Sequence, residues 1–141
     1  MPAFKFYIPI EVRYNDLDPQ WHVNNTRYLV YIEQARLKYL VQLGLFDGKS
    51  FLDLKMIIAD VHVAYLAPIM PDQNIRVGTR TGRIGNKSIT FEYQIEDAGN
   101  GEVLAKAEVV GVTYDYHNHC AIPVPPEWRQ KIEAYEGIRY N

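Results

Sequence analysis

"RYNDLDPQWHVNNTRYLVYIEQAR", residues 13–36, changes period in its middle. On the approach to it, residues 4–14 alternate. Phe4, Phe6, Ile8, Ile10, Val12 and Tyr14 fall on one side, and Lys5, Tyr7, Pro9, Glu11 and Arg13 on the other. That is the pattern of a half-buried strand. Pro9 has no N–H to give to a ladder, which places part of the strand at a sheet edge. From Asn24 to about Leu43 the apolar residues Tyr28, Ile32, Ala35, Tyr39 and Leu43 recur in steps of four and three, and Leu29, Tyr31 and Leu40 widen the stripe. This predicts an amphipathic helix of about five turns, capped by Asn24 and stopped at Gly44.

Downstream of a loop over residues 45–54 the period returns to two. Ile57, Ala59, Val61, Val63, Tyr65 and Ala67 form one run, ended by "APIMPD". Ile75, Val77, Thr79 and Thr81 form the next, closed by a Gly85-Asn86 hairpin signal. Ile89, Phe91, Tyr93 and Ile95 follow, then the turn "DAGNG", then a strand from Val103 to about Tyr116. "VPPEWRQKIEAY" reads as a short helix with proline at its start. Consecutive strands joined by tight turns imply an antiparallel sheet, and a single long helix is available to cover its core face. The expectation is one α+β domain over residues 1–141, an antiparallel sheet wrapped around a long central helix.

Composition excludes several function classes. The 141 residues carry a net charge of −2 and no basic run, so no nucleic-acid partner is expected. Cys120 is the only cysteine and has no intrachain partner, which points to a reducing compartment. The N-terminal stretch is interrupted by Lys5, Pro9, Glu11 and Arg13, unlike a secretory signal. No apolar run approaches the ~20 residues of a membrane span. A cytoplasmic protein without a membrane partner is expected.

The chemistry-bearing residues gather where strand gives way to helix: Asp16, Asp18, His22, Asn24 and Asn25. The first N–H groups of a helix lack intrahelical partners, and the helix dipole adds partial positive charge there. Such an end stabilises a polarised carbonyl oxygen, and a nearby carboxylate can attack that carbonyl or activate water against it. Asp and Asn also gather before helices simply to cap them, so residue types alone leave both readings open.

Other candidates are weaker. Glu33 lies roughly 12 Å along the helix from Asn25, too far to share one carbonyl with Asp18, and with Arg36 it makes a surface pair or a subunit contact. His117 and His119 lack the further ligands that zinc needs, with only Cys120 close by. The D-x-D of Asp16 and Asp18 is not a calcium loop, because Trp21 stands where the sixth-position glycine belongs. Arg80, Arg83 and Lys87 flank the hairpin, either as a solvated turn or as phosphate contacts.

Residues 13–36 resemble the signature of the hotdog-fold thioesterases. More narrowly, they resemble the pattern of the 4-hydroxybenzoyl-CoA thioesterase and acyl-CoA thioesterase families, R-Y-x-D-x-D-x-x-G-H-V-N-N-x-x-Y-x-x-x-x-E-x-A-R. "VAYLAPIMPDQNIRVGTRTGRIGNKSITFEYQI" continues the resemblance through the strands. It implies a hotdog fold and hydrolysis of an acyl thioester, with acyl-CoA as the small-molecule substrate. Asp18 takes the place of the catalytic carboxylate, Asn25 supplies the N–H for the thioester carbonyl, and His22 belongs to the site. Asp16 matches the accompanying structural acid. Trp21 replaces the family's glycine beside the pocket, so it is expected at the substrate. The Lys87-Ser88 pair and Arg83 are expected to hold coenzyme A phosphates. The resemblance further implies a homodimer or homotetramer and no metal or redox cofactor. Two alternatives stay open: a thioesterase for acyl-carrier protein, with Gln20 where those enzymes place an Asn, and a non-catalytic module that binds acyl-CoA.

Overall fold

In the computed structural model, which describes residues 4–141, the first strand is shorter than its alternation suggests. β1 covers Phe6–Ile10 and pairs antiparallel with the strand Ile75–Ile84, Ile10 lying opposite Ile75. The partner begins there, so the ladder ends there. Val12 and Tyr14 therefore leave the sheet, and Tyr14–Asp16 forms a single 3-10 turn.

The predicted helix is α1, Arg27–Gln42. Its stripe residues Tyr28, Ile32, Ala35 and Tyr39 are buried, as is Leu43 just beyond its end. Gly44 ends it in a left-handed conformation, φ +77°. The N–H groups of Gly44 and Leu45 return to Val41 O and Leu40 O at 3.0 and 2.9 Å, satisfying carbonyls the helix cannot. The remaining elements are β2 (Met56–Tyr65), β3 (Ile75–Ile84), β4 (Ser88–Asp97), β5 (Val103–Asp115), the two-residue β6 (Cys120–Ala121) and α2 (Pro126–Glu136).

The sheet order is β1-β3-β4-β5-β2, antiparallel throughout, with β6 paired to β5. α1 packs on β1 and β3. The predicted rows Ile75, Val77, Thr79, Thr81 and Ile89, Phe91, Tyr93, Ile95 are buried. This is the α+β hotdog arrangement expected, a curled antiparallel sheet around one long helix, with the short α2 added.

β2 is the exception. It is an edge strand, and Val61 and Tyr65, on the face of the buried β5 residues Val109 and Ala105, are exposed because α1 lies toward the opposite edge, while the predicted row is broken and Ile57, opposite Val112, faces the other side. A bulge between Ile58 and Asp60 bends it. α2 closes the other side. Glu136 is buried and accepts the Tyr39 hydroxyl at 2.5 Å, and the Tyr140 hydroxyl donates to Thr81 O at 2.6 Å. Burial, reinforced by the Glu136 charge, pushes the Tyr140 hydroxyl up to about 12.

Candidate active site at the strand–helix junction

Residues 17–23 form a miniature hairpin. Leu17 and Val23 pair as an isolated antiparallel bridge. Trp21 N–H donates to Asp18 O at 2.9 Å, and Asp18 N–H to His22 O at 3.0 Å. Pro19 starts the tight turn with a preset φ, and the turn is followed by a residue in the left-handed region. That residue is Trp21, at φ +64°. The family glycine in D-x-D-x-x-G-H thus has a conformational reason, and this chain places an indole where glycine is unstrained. The left-handed backbone costs a side-chain-bearing residue about 1–2 kcal/mol.

The turn holds Asp18 in a fixed pose. Its Oδ1 accepts the Gln20 N–H at 3.0 Å, and its Oδ2 lies 3.6 Å from His22 Nδ1. The Asp18 side chain is 13% exposed, against 37% for His22, so the carboxylate is reachable but mostly dry. Asp16 is used differently. It is buried, and its Oδ2 accepts both the Tyr31 hydroxyl at 2.8 Å and the Arg13 N–H at 3.0 Å. Oδ1 sits 3.7 Å from Arg27 Nε, and Asp16 O receives the Asn24 N–H at 2.8 Å. Asp16 therefore fastens the hairpin to α1. Burial first, then the Asp16 carboxylate, pushes the Tyr31 hydroxyl pKa well up.

Asn24, expected as the N-cap, lies two residues ahead of it: α1 starts at Arg27, with Thr26 at the N-cap. Its Oδ1 accepts the Thr26 N–H at 2.9 Å and the Thr26 hydroxyl at 2.7 Å, and its carbonyl accepts the Arg27 N–H at 2.9 Å. The neighbouring Asn25 N–H donates no hydrogen bond among the described residues. The Asn25 carbonyl is held by the Tyr65 hydroxyl at 2.8 Å. Tyr65 meets Tyr28 edge to face at 4.9 Å, and Tyr28 donates to Ala67 O at 3.3 Å. The Tyr28 hydroxyl is pushed up mainly by burial, and the Asp18 charge also reaches it. Asn25 is thus linked through the exposed Tyr65 to the buried Tyr28, which the Asp18 charge reaches, and the Asn25 N–H has no partner among the described residues. Sequence reasoning assigned Tyr28 to the core and missed Tyr65 altogether. The place of Tyr28 in the first turn of α1 was a usable signal, whereas Tyr65 joins the site through pairing forty residues away.

Arg83, Lys87 and Ser88 are not brought to this region within one chain. β3 carries the chain from Ile75, beside β1 and the hairpin, to Ile84 at the β3–β4 turn. That is roughly 30 Å at ~3.3 Å per residue. Glu33 is 78% exposed and 3.8 Å from Arg36, the pairing expected. His117 and His119 lie in the turn after β5 rather than on it, and His117 Nε2 is 3.2 Å from Asp53 Oδ1. Among the described residues no group of three or more His, Cys, Asp or Glu could hold a metal ion. No helix among them is long and apolar enough to cross a membrane.

The sequence profile of the Thioesterase-like superfamily matches residues 12–132. A thioesterase from Thermus thermophilus, solved with coenzyme A and zinc, superposes with a TM-score of 0.86 at 34% identity, over 98% of this chain and 99% of that one. The long-chain acyl-CoA thioesterase FadM of Escherichia coli K12 is 27% identical over 88% of this chain and 94% of its own length. The acyl-CoA thioesterase YbgC of Haemophilus influenzae is 27% identical over 86% and 90%.

Proposed function

The chain belongs to the thioesterase-like superfamily and is a thioester hydrolase, and we propose that it hydrolyses acyl-CoA to free acid and coenzyme A, acting as one hotdog domain over residues 1–141. The observation that carries this reading is a held, mostly dry Asp18 carboxylate together with an Asn25 N–H that has no partner among the described residues and lies two residues ahead of α1. The N–H and the helix dipole stabilise negative charge on the thioester oxygen. Asp18 Oδ2 then acts in one of two ways. It attacks the carbonyl carbon, expelling the coenzyme A thiolate and leaving a mixed anhydride for water to open. Otherwise it takes the proton of a water that makes the attack. His22 Nδ1 stands 3.6 Å from that oxygen. Relatives named as acyl-CoA thioesterases support coenzyme A as the thiol.

A largely apolar, open groove of ≈ 280 Å³ lies between α1 and β2, lined by Leu37, Leu40, Phe51, Leu54, Met56 and Ile57, with the charged Glu33 and Arg36 also in its lining. It suits an acyl chain. The test is thiol release from a panel of acyl-CoAs and one acyl-carrier protein, read with a thiol-reactive dye. Turnover of at least one acyl-CoA is expected. Turnover of the carrier-protein substrate alone would transfer the reading to that class, and binding without turnover would make the chain a sensor. The exposed thiol of Cys120 fits a reducing, cytoplasmic setting.

β2 supports a homodimer. An apolar edge strand is an open template, and its exposed Ile57, Ile58, Val61 and Tyr65 would be covered by a second copy pairing antiparallel across a two-fold axis. Sedimentation equilibrium at micromolar protein should give twice the chain mass, or four times in a dimer of dimers. A lone monomer mass would remove this element. Two-fold pairing also sets the Met56 end of one β2 against the Tyr65 end of the other. Lys87 lies toward that Met56 end, since its carbonyl accepts the N–H of Thr113, the residue opposite Met56. The hairpin of one copy then approaches Asn25 of the other. Lys87→Ala should raise KM for acyl-CoA by about ten-fold with kcat nearly kept, the loss of one charge-assisted contact to a phosphate. The effect should vanish on a thioester lacking the nucleotide. Equal losses on both substrates would place Lys87 outside phosphate binding.

A further inference from the structure

Trp21 and His119 are the only residues other than glycine at positive φ among the described residues. Trp21 is the bulkier, and it stands three residues after the candidate catalytic acid. A turn that needs a left-handed residue is served without strain by glycine. A bulky residue in that conformation is an outlier whose strain persists only when something else is gained. The indole gains little from folding: it is 57% exposed, and among the described residues its aromatic contact is with Tyr14, itself 83% exposed, at 6.5 Å. Two large rings therefore stand edge to face in solvent beside Asp18.

We propose that Trp21, with Tyr14, forms an aromatic shelf that binds the thiol-side pantetheine arm of the substrate and so selects coenzyme A-type thioesters over shorter thiols. This rests on the acyl-CoA reading above. The largely apolar groove between α1 and β2 takes the acyl side, so the sulfur side of the bound ester leads outward. Trp21 and Tyr14 are exposed aromatic surface on the loop that carries Asp18. The pantetheine arm is a chain of methylenes, methyls and amides. An indole face packs against such groups with large contact area, and its N–H can meet an amide oxygen. His22, next along the chain, is partly buried against Asp18, so the loop sends one side chain to the reacting acid and its neighbour to the leaving group.

The test compares Trp21→Gly, Trp21→Ala and Trp21→Phe on one acyl group carried by coenzyme A, by pantetheine and by N-acetylcysteamine. Trp21→Gly relieves the backbone and removes the ring. It should raise Tm by a few degrees and raise KM about ten-fold for the first two thioesters. N-acetylcysteamine, which lacks most of the arm, should show a far smaller change. Trp21→Ala should raise KM similarly without the gain in Tm, and Trp21→Phe should restore most of the binding. A second readout is free of turnover. Trp128 is 4% exposed, so acrylamide quenches chiefly Trp21, and saturating coenzyme A should protect it. Equal KM changes on all three thioesters, a change on coenzyme A alone, or no protection from quenching would each overturn the shelf. If the wild-type chain turns over no acyl-CoA, the parent reading fails instead.

Discussion

Replacing Asp18 with asparagine should lower kcat on the best acyl-CoA by at least ~100-fold, the lower range for removing an acid–base or nucleophilic group. Asparagine keeps the size of the side chain, and its Oδ1 can still accept the Gln20 N–H that Asp18 Oδ1 accepts at 3.0 Å. The hairpin should therefore survive, with Tm within about 2 °C of wild type. KM should change little, because the carbonyl is held by the Asn25 N–H and the rest of the substrate by surfaces Asp18 does not form. What is lost is the Oδ2 anion, which stands 3.6 Å from His22 Nδ1. Steady-state kinetics with a thermal melt on the same preparation separate the two effects. Wild-type turnover in Asp18→Asn would overturn the proposed mechanism, whatever the fate of the acyl-CoA assignment.

The difference between what could be read from the sequence and what could not is a difference between local and non-local causes. The stripe Tyr28, Ile32, Ala35, Tyr39 is local: each residue lies one helical turn from the next, so the period alone places the buried face of α1. The end of β1 is not local. Residues 4–14 alternate without a break, yet the strand stops at Ile10 because β3 begins at Ile75. β2 shows the same limit in another form. Its alternation reads as one apolar face, but the bulge between Ile58 and Asp60 turns Ile57 to the side opposite Val61 and Tyr65, and nothing in residues 56–65 says that α1 lies toward the other edge. At the site, the helix cap falls at Thr26 rather than at Asn24, whereas the D-x-D is readable and the glycine-to-tryptophan change is visible. Its meaning is not, since only the backbone places that position at positive φ. The separation of Asp16 from Asp18 is likewise hidden, because two identical side chains two residues apart differ only in what the distant chain offers them.

That separation makes the second prediction. Asp16 is 7% exposed and receives two hydrogen bonds, from the Tyr31 hydroxyl fifteen residues on and from the Arg13 N–H. Asp16→Ala strands the buried Tyr31 hydroxyl, at about 1–3 kcal/mol, and takes the acceptor from the part-buried Arg13 N–H, at a smaller cost. A loss of about 3 kcal/mol lowers Tm by roughly 10 °C in a chain of this length. Asp16→Asn, which retains one acceptor oxygen, should lose about half as much. The partner can be checked directly. Tyr31→Phe removes one stranded donor, so the double variant Asp16→Ala/Tyr31→Phe should be no less stable than Asp16→Ala alone, and the two changes should be strongly non-additive. Activity per folded molecule should fall far less than in Asp18→Asn, because the catalytic oxygen and the Asn25 N–H remain and only the anchoring of the hairpin to α1 is loosened. A melt within about 2 °C of wild type, or a kcat loss matching that of Asp18→Asn in a fully folded sample, would mean that the two acids do not divide structure and chemistry between them as their hydrogen bonds divide.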